Sequence, residues 1–345
     1  MQTEEFLKKA ASIPGLSGHE QAVAQFIADA FRPFCDEVRV DQLNSVIGHI
    51  KGQGPRVMIC AHLDEIGLMV SRIEKNGALR ICSVGGVDPR ILPGMRVTVY
   101  GREPLPGVIG AKAPHLLTAA ERRKNYKEED LYVDLGMSAE HVQEMTAIGD
   151  CIALEGGYTE LLNGRRAGKT MDDRSCVAIL LRAMEMLQRV DTCADLYFVA
   201  SCQEEVGGYG AMTTAFGIEP DFGVVLDVTH AKTPGTPEDE AFDLDAPTAA
   251  KGPYINPFLS EKLCGVAREN NIRLQDEIVP RYTYTDLDDV EIVRGGVPSV
   301  LISLPLRYMH TSVETLDLHA LNECARLLAA FCAAVEPSWR DALWT

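Results

Sequence analysis

The stretch RVMICAHLDE, residues 56–65, decides the fold. After Arg56 the run to Ala61 is apolar, which is typical of a strand that is buried on both faces of a sheet. His62 and Asp64 follow directly where this run ends. In open α/β sheets, ligands bind beyond the carboxyl ends of the strands. The stretch therefore predicts an α/β sheet with a functional site at the end of this strand.

Strand and helix patterns alternate on both sides of a β-rich middle segment. Residues 3–12 and 18–33 have helical spacing, and short strands are expected at Val38–Val40 and Val46–Ile50. After residue 166 the expected strands are Asp195–Ser201, Phe222–Val228 and Val297–Leu304, and the expected helices are Arg174–Val190, Gly210–Ala215, Pro257–Asn270 and Leu318–Val335. This alternation predicts an α/β fold with a doubly wound, mainly parallel sheet.

The middle segment has a different texture. Its short strand candidates are separated by Gly and Pro turns: Leu68–Ile73, Leu79–Cys82, Arg96–Tyr100, Gly107–Ala111 and Cys151–Leu154. That rhythm is typical of a small β-barrel or sandwich, and the charged stretch Ala119–Asp130 is expected to be an exposed helix or loop. We predict that residues 1–67 and 166–345 form an α/β catalytic domain, and that residues 68–165 form an inserted, β-barrel-like domain.

Composition excludes several classes of function. The 345-residue chain has a net charge of −17, which argues against a nucleic-acid partner because phosphate binding needs clustered Lys and Arg. Its ten cysteines form no CxxC pair, so a structural zinc or disulfide framework is not expected. No apolar run approaches the roughly 18 residues of a membrane span, and the first residues lack the apolar core of a signal peptide. We expect a soluble, cytoplasmic protein that does not bind membranes.

Four more clusters of acidic residues or histidine resemble the one in residues 56–65. Three of them follow apolar, strand-like runs, and the fourth stands immediately before a helix. They are QEEVG (203–207) with Glu204 and Glu205, VLDVTH (225–230) with Asp227, RYMHT (307–311) with His310, and MDDR (171–174) with Asp172 and Asp173. Taken singly, each has an ordinary structural explanation, such as a core histidine or a helix cap. Together they predict residues that meet in one cleft at the end of the sheet.

These side chains have the ligand chemistry of a dinuclear metal centre. Zinc and cobalt favour imidazole nitrogen and carboxylate oxygen, and two ions can share a bridging carboxylate. One arrangement uses each residue once. Asp172 bridges the two ions, His62 and Asp227 complete one of them, and Glu205 and His310 complete the other. The sequence therefore predicts two divalent ions, Zn²⁺ or Co²⁺, in each subunit.

Two acidic residues remain for other roles. Asp64, two residues after His62, is placed to orient that imidazole. Glu204 is left as the general base, which would deprotonate a metal-activated water and pass the proton to the leaving amine. We predict a metallohydrolase, and most directly an aminopeptidase. Asp286 is a candidate to hold the free α-amino group of the substrate.

The chain also resembles a known family through motifs that keep their order along nearly its whole length. The motifs are PGLSGHE (14–20), AHLDEIGLMV (61–70), GAKAPHLLTAAERRK (110–124), KTMDDRSC (169–176), QEEVGGYGA (203–211), LDVTHAKTPG (226–235) and LPLRYMHTSVE (304–314). They are similar to those of the dinuclear aminopeptidases of metallopeptidase family 42, which include glutamyl and deblocking aminopeptidases and tetrahedral particles.

The resemblance implies the same site as the residues do. It assigns the metal ligands to His62, Asp172, Glu205, Asp227 and His310. It also assigns the base to Glu204 and the support of the histidine ligand to Asp64. It further implies that the inserted β domain mediates dimerisation, that six dimers can close into a hollow dodecamer, and that the substrates are short peptides.

The sequence departs from the family pattern in four places. Gly208 and Tyr209 follow EEVG where a Leu-Arg pair is usual, and TYTDLDD (283–289) replaces a glycine-rich segment. Asn44-Ser45 stands for Gly-Asn, and Lys232 stands where small or acidic residues are familiar. None of these changes removes a ligand or the base. The departures at Gly208-Tyr209 and Tyr282–Asp289 bear on substrate preference, because Tyr282 and Tyr284 could reshape the pocket.

Other classes of function stay open. A deacylase or carboxypeptidase on a similar scaffold would use the same metal centre, but it would not require a free amino terminus on its substrate. A catalytically idle homologue would keep the fold and act as a binding or scaffold protein. A carbohydrate hydrolase is disfavoured, because neighbouring residues such as Glu204 and Glu205 rarely face each other across about 5 Å of sugar.

Overall fold

An eight-stranded mixed sheet, a three-stranded sheet, surrounding helices and a closed barrel make up the computed structural model, which describes residues 3–237 and 240–344. The strands are β1 (Glu37–Val40), β2 (Val46–Ile50), β3 (Arg56–His62), β4 (Gly67–Ile73), β5 (Leu79–Val84), β6 (Arg96–Tyr100), β7 (Pro104–Ala111), β8 (Leu131–Asp134), β9 (Cys151–Leu154), β10 (Thr159–Glu160), β11 (Arg165–Gly168), β12 (Asp195–Ser201), β13 (Phe222–His230), β14 (Thr248–Lys251), β15 (Gln275–Ile278), β16 (Ser299–Leu306) and β17 (Glu314–Asp317). The α-helices are α1 (Thr3–Ala10), α2 (Gln21–Phe31), α3 (Ala139–Met145), α4 (Met171–Leu187), α5 (Tyr209–Ile218), α6 (Pro257–Glu269), α7 (Asp286–Val290), α8 (Leu318–Ala333) and α9 (Trp339–Ala342).

The main sheet brings the ends of its central strands to one edge. Its strand order is β1-β2-β12-β3-β13-β16-β14-β15. The four central strands β12, β3, β13 and β16 run parallel, whereas β2 and β14 pair with them in antiparallel fashion. In this register Ser201, the last residue of β12, lies opposite His62, the last residue of β3. The α/β prediction is confirmed, with a parallel centre and antiparallel flanks.

Helices pack on the sheet in two groups. Helix α4 contacts β3, β13 and β16 as well as α1 and α8, while α5 and α7 contact each other and also reach β3. Nearly all of α4 is buried, which explains why its sequence is apolar from Cys176 to Leu181. This helix was expected to begin at Arg174, but it begins at Met171, because Asp172 and Asp173 belong to its first turn despite non-helical dihedral angles.

The inserted segment folds as a closed barrel in the order β4-β5-β8-β7-β6-β9, as the sequence predicted. Alternate residues of β7 point inward, so Leu105 and Ile109 are buried while Val108 is exposed. The period of two is what a half-buried strand requires. The charged stretch Ala119–Asp130 is exposed and contains two short 3₁₀ turns, Glu121–Arg123 and Glu128–Asp130. Within the described residues, no helix combines the length and apolarity needed to cross a bilayer.

Candidate active site

The predicted site residues come from separate elements that end at the same edge of the sheet. His62 closes β3, Asp227 lies in β13, and Asp172 lies in the first turn of α4. Glu204 and Glu205 follow β12, and His310 lies between β16 and β17. All of these side chains are buried or nearly so, except that of His310, which is 30% exposed. The fold thus brings together residues that are up to about 250 positions apart.

The Asp172 carboxylate lies between two imidazoles. Its Oδ1 is 3.0 Å from His62 Nε2, and its Oδ2 is 3.3 Å from His310 Nε2. The same His310 nitrogen is 3.3 Å from Glu205 Oε1. One carboxylate oxygen therefore faces each histidine, which is the arrangement expected of a bridging ligand.

Asp227 and Asp173 also lie close to His62. Ligand atoms of His62, Asp173 and Asp227 all lie within 4.8 Å of one another, and the same is true of His62, Asp172 and Glu205. Asp173 had no assigned role, yet it is fully buried and its Oδ1 has no hydrogen-bond partner. Its Oδ2 accepts the backbone N–H of His62 at 3.3 Å. The described structure thus offers two overlapping groups of donors around one histidine.

Asp64 joins the end of β3 to the loop that carries both glutamates. Its Oδ1 is 3.4 Å from His62 Nδ1, and it accepts the backbone N–H of Glu204 at 3.0 Å. Its Oδ2 accepts the Ser17 hydroxyl at 2.6 Å and the backbone N–H of Glu205 at 3.3 Å. The carboxylate therefore lies beside the His62 imidazole and accepts two backbone N–H groups of the neighbouring loop.

The charges of the cluster suit a cation. Burial, with Asp227, Asp286 and Glu205 nearby, raises the pKa of Glu204 to about 10 against the opposing effect of His62. Burial likewise raises the pKa of Glu205 and raises those of Asp173 and Asp227 well above their ordinary range. Crowded, buried carboxylates are costly unless positive charge is supplied. The two histidines and the unpartnered Asp173 oxygen therefore fit divalent ions of the zinc and cobalt type.

The pKa values of the two histidines are also raised, but by their acidic partners and against the effect of burial. Burial acts to lower the pKa of His310, but its hydrogen bonds to Asp172 and Glu205 outweigh burial and raise the pKa to about 11. The same balance, with Asp172 and Asp64 as partners, raises the pKa of His62 well above its usual value. Protons thus occupy the nitrogen positions that a metal ion would take, because both are attracted by the same carboxylates.

Comparison with known proteins identifies the family. The family model for M42 glutamyl aminopeptidase matches residues 44–327. The chain belongs to the M42 glutamyl aminopeptidase family. It is therefore a hydrolase of the peptidase class, and M42 peptidases are metal-dependent.

Individual M42 relatives match over almost the whole chain. The lysyl aminopeptidase of Pyrococcus furiosus is 37% identical over 339 residues, which cover 96% of this chain and 97% of the relative. A TET aminopeptidase from the Thaumarchaeota archaeon SCGC AB-539-E09 has a TM-score of 0.94 at 32% identity, covering 99% of this chain and 98% of its own. The TET1 peptidase of Pyrococcus horikoshii, described as assembling into a tetrahedron or a large octahedral shell, has a TM-score of 0.84 at 28% identity, with 97% and 100% covered.

The PGLSGHE motif of this M42 chain packs next to the end of β3 through Gly15 and Glu65. The Gly15 N–H donates to Glu65 Oε1 at 2.9 Å, and Lys169 Nζ lies 2.5 Å from Glu65 Oε2. The fully buried Arg174 donates to the carbonyls of Leu63, Ala10 and Ile13. A Cβ on Gly15 would lie 2.5 Å from Arg174, so the loop requires glycine there. These hydrogen bonds and the Lys169–Glu65 ion pair hold the N-terminal segment against the start of α4 and the end of β3.

Sequence reasoning missed two groups that hold His310. Glu314 accepts the backbone N–H of His310 at 2.9 Å, and the carbonyl of Gly86 lies 2.9 Å from His310 Nδ1. Glu314 stood at the end of a quoted motif, but nothing in its spacing from His310 indicated a hydrogen bond to the backbone. Gly86 belongs to the loop after β5, so only the barrel's position in the fold reveals this contact.

Two of the departures from the family pattern, Gly208-Tyr209 and the segment 282–289, meet where the loop after β12 approaches helix α7. Gly208 has a φ of 63°, and a Cβ there would lie 1.8 Å from Asp289 Oδ2, so the close approach to α7 needs glycine. Tyr282 and Tyr284 are 59% and 84% exposed. Asp286 is instead buried and accepts the hydroxyl of Ser201, while its Oδ1 has no partner. Asp286 therefore faces the protein interior beside the end of β12.

Proposed function

We propose that this chain is a dinuclear, metal-dependent aminopeptidase that removes N-terminal residues from short peptides. The observation that carries the proposal is the Asp172 carboxylate, which presents one oxygen to His62 and the other to His310. Membership of the M42 family supports the reaction class. In the proposed centre His62 and Asp227 would hold one ion, Glu205 and His310 would hold the other, and Asp172 would contribute to both. Zinc and cobalt are the ions that suit these donors.

The roles of the surrounding residues follow from their contacts. When bound, two divalent ions would polarise the scissile carbonyl and make the attacking water more acidic. Glu204, whose Oε2 is 3.8 Å from His62 Nε2, is the proposed general base that takes a proton from that water and delivers it to the leaving amine. A cation beside Glu204 lowers its pKa, because opposite charge favours the ionised carboxylate that a base requires. Asp64 keeps His62 and the backbone of Glu204 in place.

The acidic surroundings also suit the substrate. The chain carries a net charge of −17, and acidic clefts attract cationic ligands, which include free amino termini. A deacylase or carboxypeptidase with the same metal centre would have no need for that positive charge. The two possibilities therefore differ in one feature of the substrate, its unblocked amino group.

The test is release of amino acids from matched peptide pairs. A panel of unblocked short peptides and their N-acetylated counterparts is incubated with the protein, with added zinc or cobalt, and with and without a chelator. Chelator-sensitive release confined to the unblocked peptides is the expected result. Equal turnover of the acetylated peptides would favour the deacylase or carboxypeptidase, and no turnover by metal-loaded protein would favour an idle homologue.

Assembly and location complete the proposal. We place the protein in the cytoplasm as a homo-oligomer built from dimers, with twelve chains as the expected closed form. The description of the Pyrococcus horikoshii TET1 peptidase as a tetrahedron or octahedral shell supports this assembly. In the proposed arrangement residues 1–67 and 166–345 form the catalytic domain, and the barrel within residues 68–165 mediates dimerisation.

A further inference from the structure

Glu314 connects the backbones of two candidate metal ligands. It is the first residue of β17 and is only 3% exposed. Its Oε1 accepts the N–H of His310 at 2.9 Å, and its Oε2 accepts the N–H of Asp172 at 3.1 Å. One carboxylate thus spans the loop after β16 and the first turn of α4.

Both N–H groups have a particular need for an acceptor. Asp172 lies in the first turn of α4, where backbone N–H groups have no partner inside the helix. His310 has a φ of 59°, a left-handed conformation that costs free energy in a residue with a side chain and persists only where neighbouring contacts hold it. The Glu314 carboxylate satisfies the first group and stabilises the backbone of the second.

A second contact fixes the His310 ring. Its Nδ1 lies 2.9 Å from the carbonyl oxygen of Gly86, so the N–H is on Nδ1 and donates to that oxygen. With Nδ1 committed to Gly86, Nε2 is the nitrogen that faces Asp172 and Glu205, and it is the atom that would bind an ion in place of its proton. A Cβ on Gly86 would lie 2.8 Å from His310 Nδ1, so the barrel approaches the ring too closely for any larger residue.

We propose that Glu314 is a positioning residue that holds His310 and Asp172 in register, so that the ion held by Glu205 and His310 binds tightly only when Glu314 is intact. Because its oxygens accept the backbone N–H groups of His310 and Asp172, Glu314 acts on the centre through these two ligands. The inference rests on the proposed dinuclear centre and adds a residue that controls one of its two positions.

The test substitutes Glu314→Gln and measures metal binding directly. An amide has one accepting oxygen, so only one of the two backbone N–H groups would keep its acceptor. The NH₂ group of the amide would face the other N–H, and both of these groups can only donate. We expect the dissociation constant of one of the two ions to rise about 10–100-fold, as for other residues that orient metal ligands. The readouts are Zn²⁺ stoichiometry and affinity by calorimetry and the visible absorption of bound Co²⁺. His310→Ala, which removes the ligand itself, is the reference for loss of that ion.

The matched control is Glu277→Gln. Glu277 accepts hydroxyl groups of Thr229, Thr248 and Ser303, and hydroxyls can rotate to accept from an amide NH₂. This control should bind both ions like the native chain. If Glu314→Gln does not fold, Glu314→Asp keeps both accepting oxygens but draws them back by one methylene group, so it tests the same two contacts.

The outcomes separate this inference from the proposed function. Two ions bound by Glu314→Gln or Glu314→Asp with native affinity would overturn the inference and leave the dinuclear centre standing. Loss of both ions together with a lower unfolding temperature would also overturn it, because it would indicate a general structural role. A native chain that binds fewer than two ions would contradict the proposed centre itself.

Discussion

Glu204 is the residue whose neutral replacement best separates chemistry from metal binding. Glutamine keeps the size of the side chain but cannot take a proton from water, so we expect Glu204→Gln to lower kcat about 10²–10⁴-fold. Its Oε2 lies 3.8 Å from Nε2 of the candidate ligand His62, a distance at which no hydrogen bond is lost. The variant should therefore keep native metal stoichiometry. Peptide hydrolysis and metal content measured on the same preparation check this, and native activity would exclude Glu204 as the base.

Asp64 accepts more donors than an amide can satisfy. The His62 ring, the Ser17 hydroxyl and the N–H groups of Glu204 and Glu205 all approach its two oxygens. We expect Asp64→Asn to weaken metal binding about 10–100-fold, and Ser17→Ala, which removes a single donor, to weaken it much less. Calorimetric titration with Zn²⁺ measures both. Equal effects of the two substitutions would contradict the role assigned to Asp64.

Glu20 makes the stability of the fold depend on pH. Burial, with a contribution from Asp64, raises its pKa from the ordinary 4.5 to about 7, although the Gly18 N–H opposes the shift. The folded state therefore holds a proton that the unfolded state releases between these values, so stability falls as pH rises from 4.5 to 7. Between pH 5 and pH 8, we expect the decrease in the free energy of unfolding to be about 2–3 kcal/mol smaller for Glu20→Gln than for the native chain. Urea unfolding at both pH values measures it, with the exposed Glu261→Gln as a control that should leave the loss unchanged.

At the residue scale, the sequence indicated which side chains meet but not how they are supported. His62 and Asp64 could be predicted because they stand at the carboxyl end of an apolar run that forms a buried strand, where ligands bind in α/β sheets. Glu314 could not, because its partners are backbone N–H groups whose exposure depends on the first turn of α4 and on the left-handed His310. Thr170 and Gln203 also have positive φ values beside the site, and no local pattern signals such strain.

At the scale of elements, the junction between the glutamate loop and α7 depends on Gly208. An alanine there would combine a φ of 63° with a Cβ 2.4 Å from Asp289 Cγ. We expect Gly208→Ala to lower the free energy of unfolding by about 1–3 kcal/mol and to weaken catalysis, because Glu204 and Glu205 lie on the same loop.

The control for this change lies in the helix that Gly208 begins. Gly217 is exposed in α5 and has open space for a Cβ, so Gly217→Ala should raise the free energy of unfolding by up to about 1 kcal/mol. Urea denaturation measures both variants. A Gly208→Ala protein as stable and active as the Gly217→Ala protein would show that the contact with α7 does not constrain the loop.

The elements that could be predicted have strong local patterns. The strand Asp195–Ser201 has the predicted bounds, because it is a buried apolar run between polar residues. The flanking strands β14 and β15 were not predicted, since each has four residues and β15 alternates only between half-buried and exposed positions. Such short strands form through pairing with β16 and with each other, which are interactions between residues far apart in sequence.

At the scale of the whole molecule, the barrel and the α/β sheet meet at the candidate metal centre. The spacing of Gly and Pro turns predicted the barrel, but not that its Gly85-Gly86 loop would touch the site. A Cβ on Gly85 would lie 3.3 Å from Glu205, and the Gly86 carbonyl is in contact with the His310 ring. This contact depends on how the two parts pack, which no pattern within either part specifies.

The charge of the chain makes its proposed assembly sensitive to salt. Each subunit carries a net charge of −17, so bringing twelve of them into one particle concentrates negative charge. Salt screens this repulsion, because the Debye length falls from about 30 Å at 0.01 M to about 8 Å at 0.15 M. We therefore expect the mass measured by light scattering after size exclusion to shift from twelve chains toward dimers as salt is lowered at constant protein concentration. Chelator-treated samples run in parallel separate the effect of salt from that of metal loss. A mass that is constant across this range would mean that the subunit contacts are dominated by apolar burial, and a single-chain mass at every ionic strength would contradict the proposed assembly.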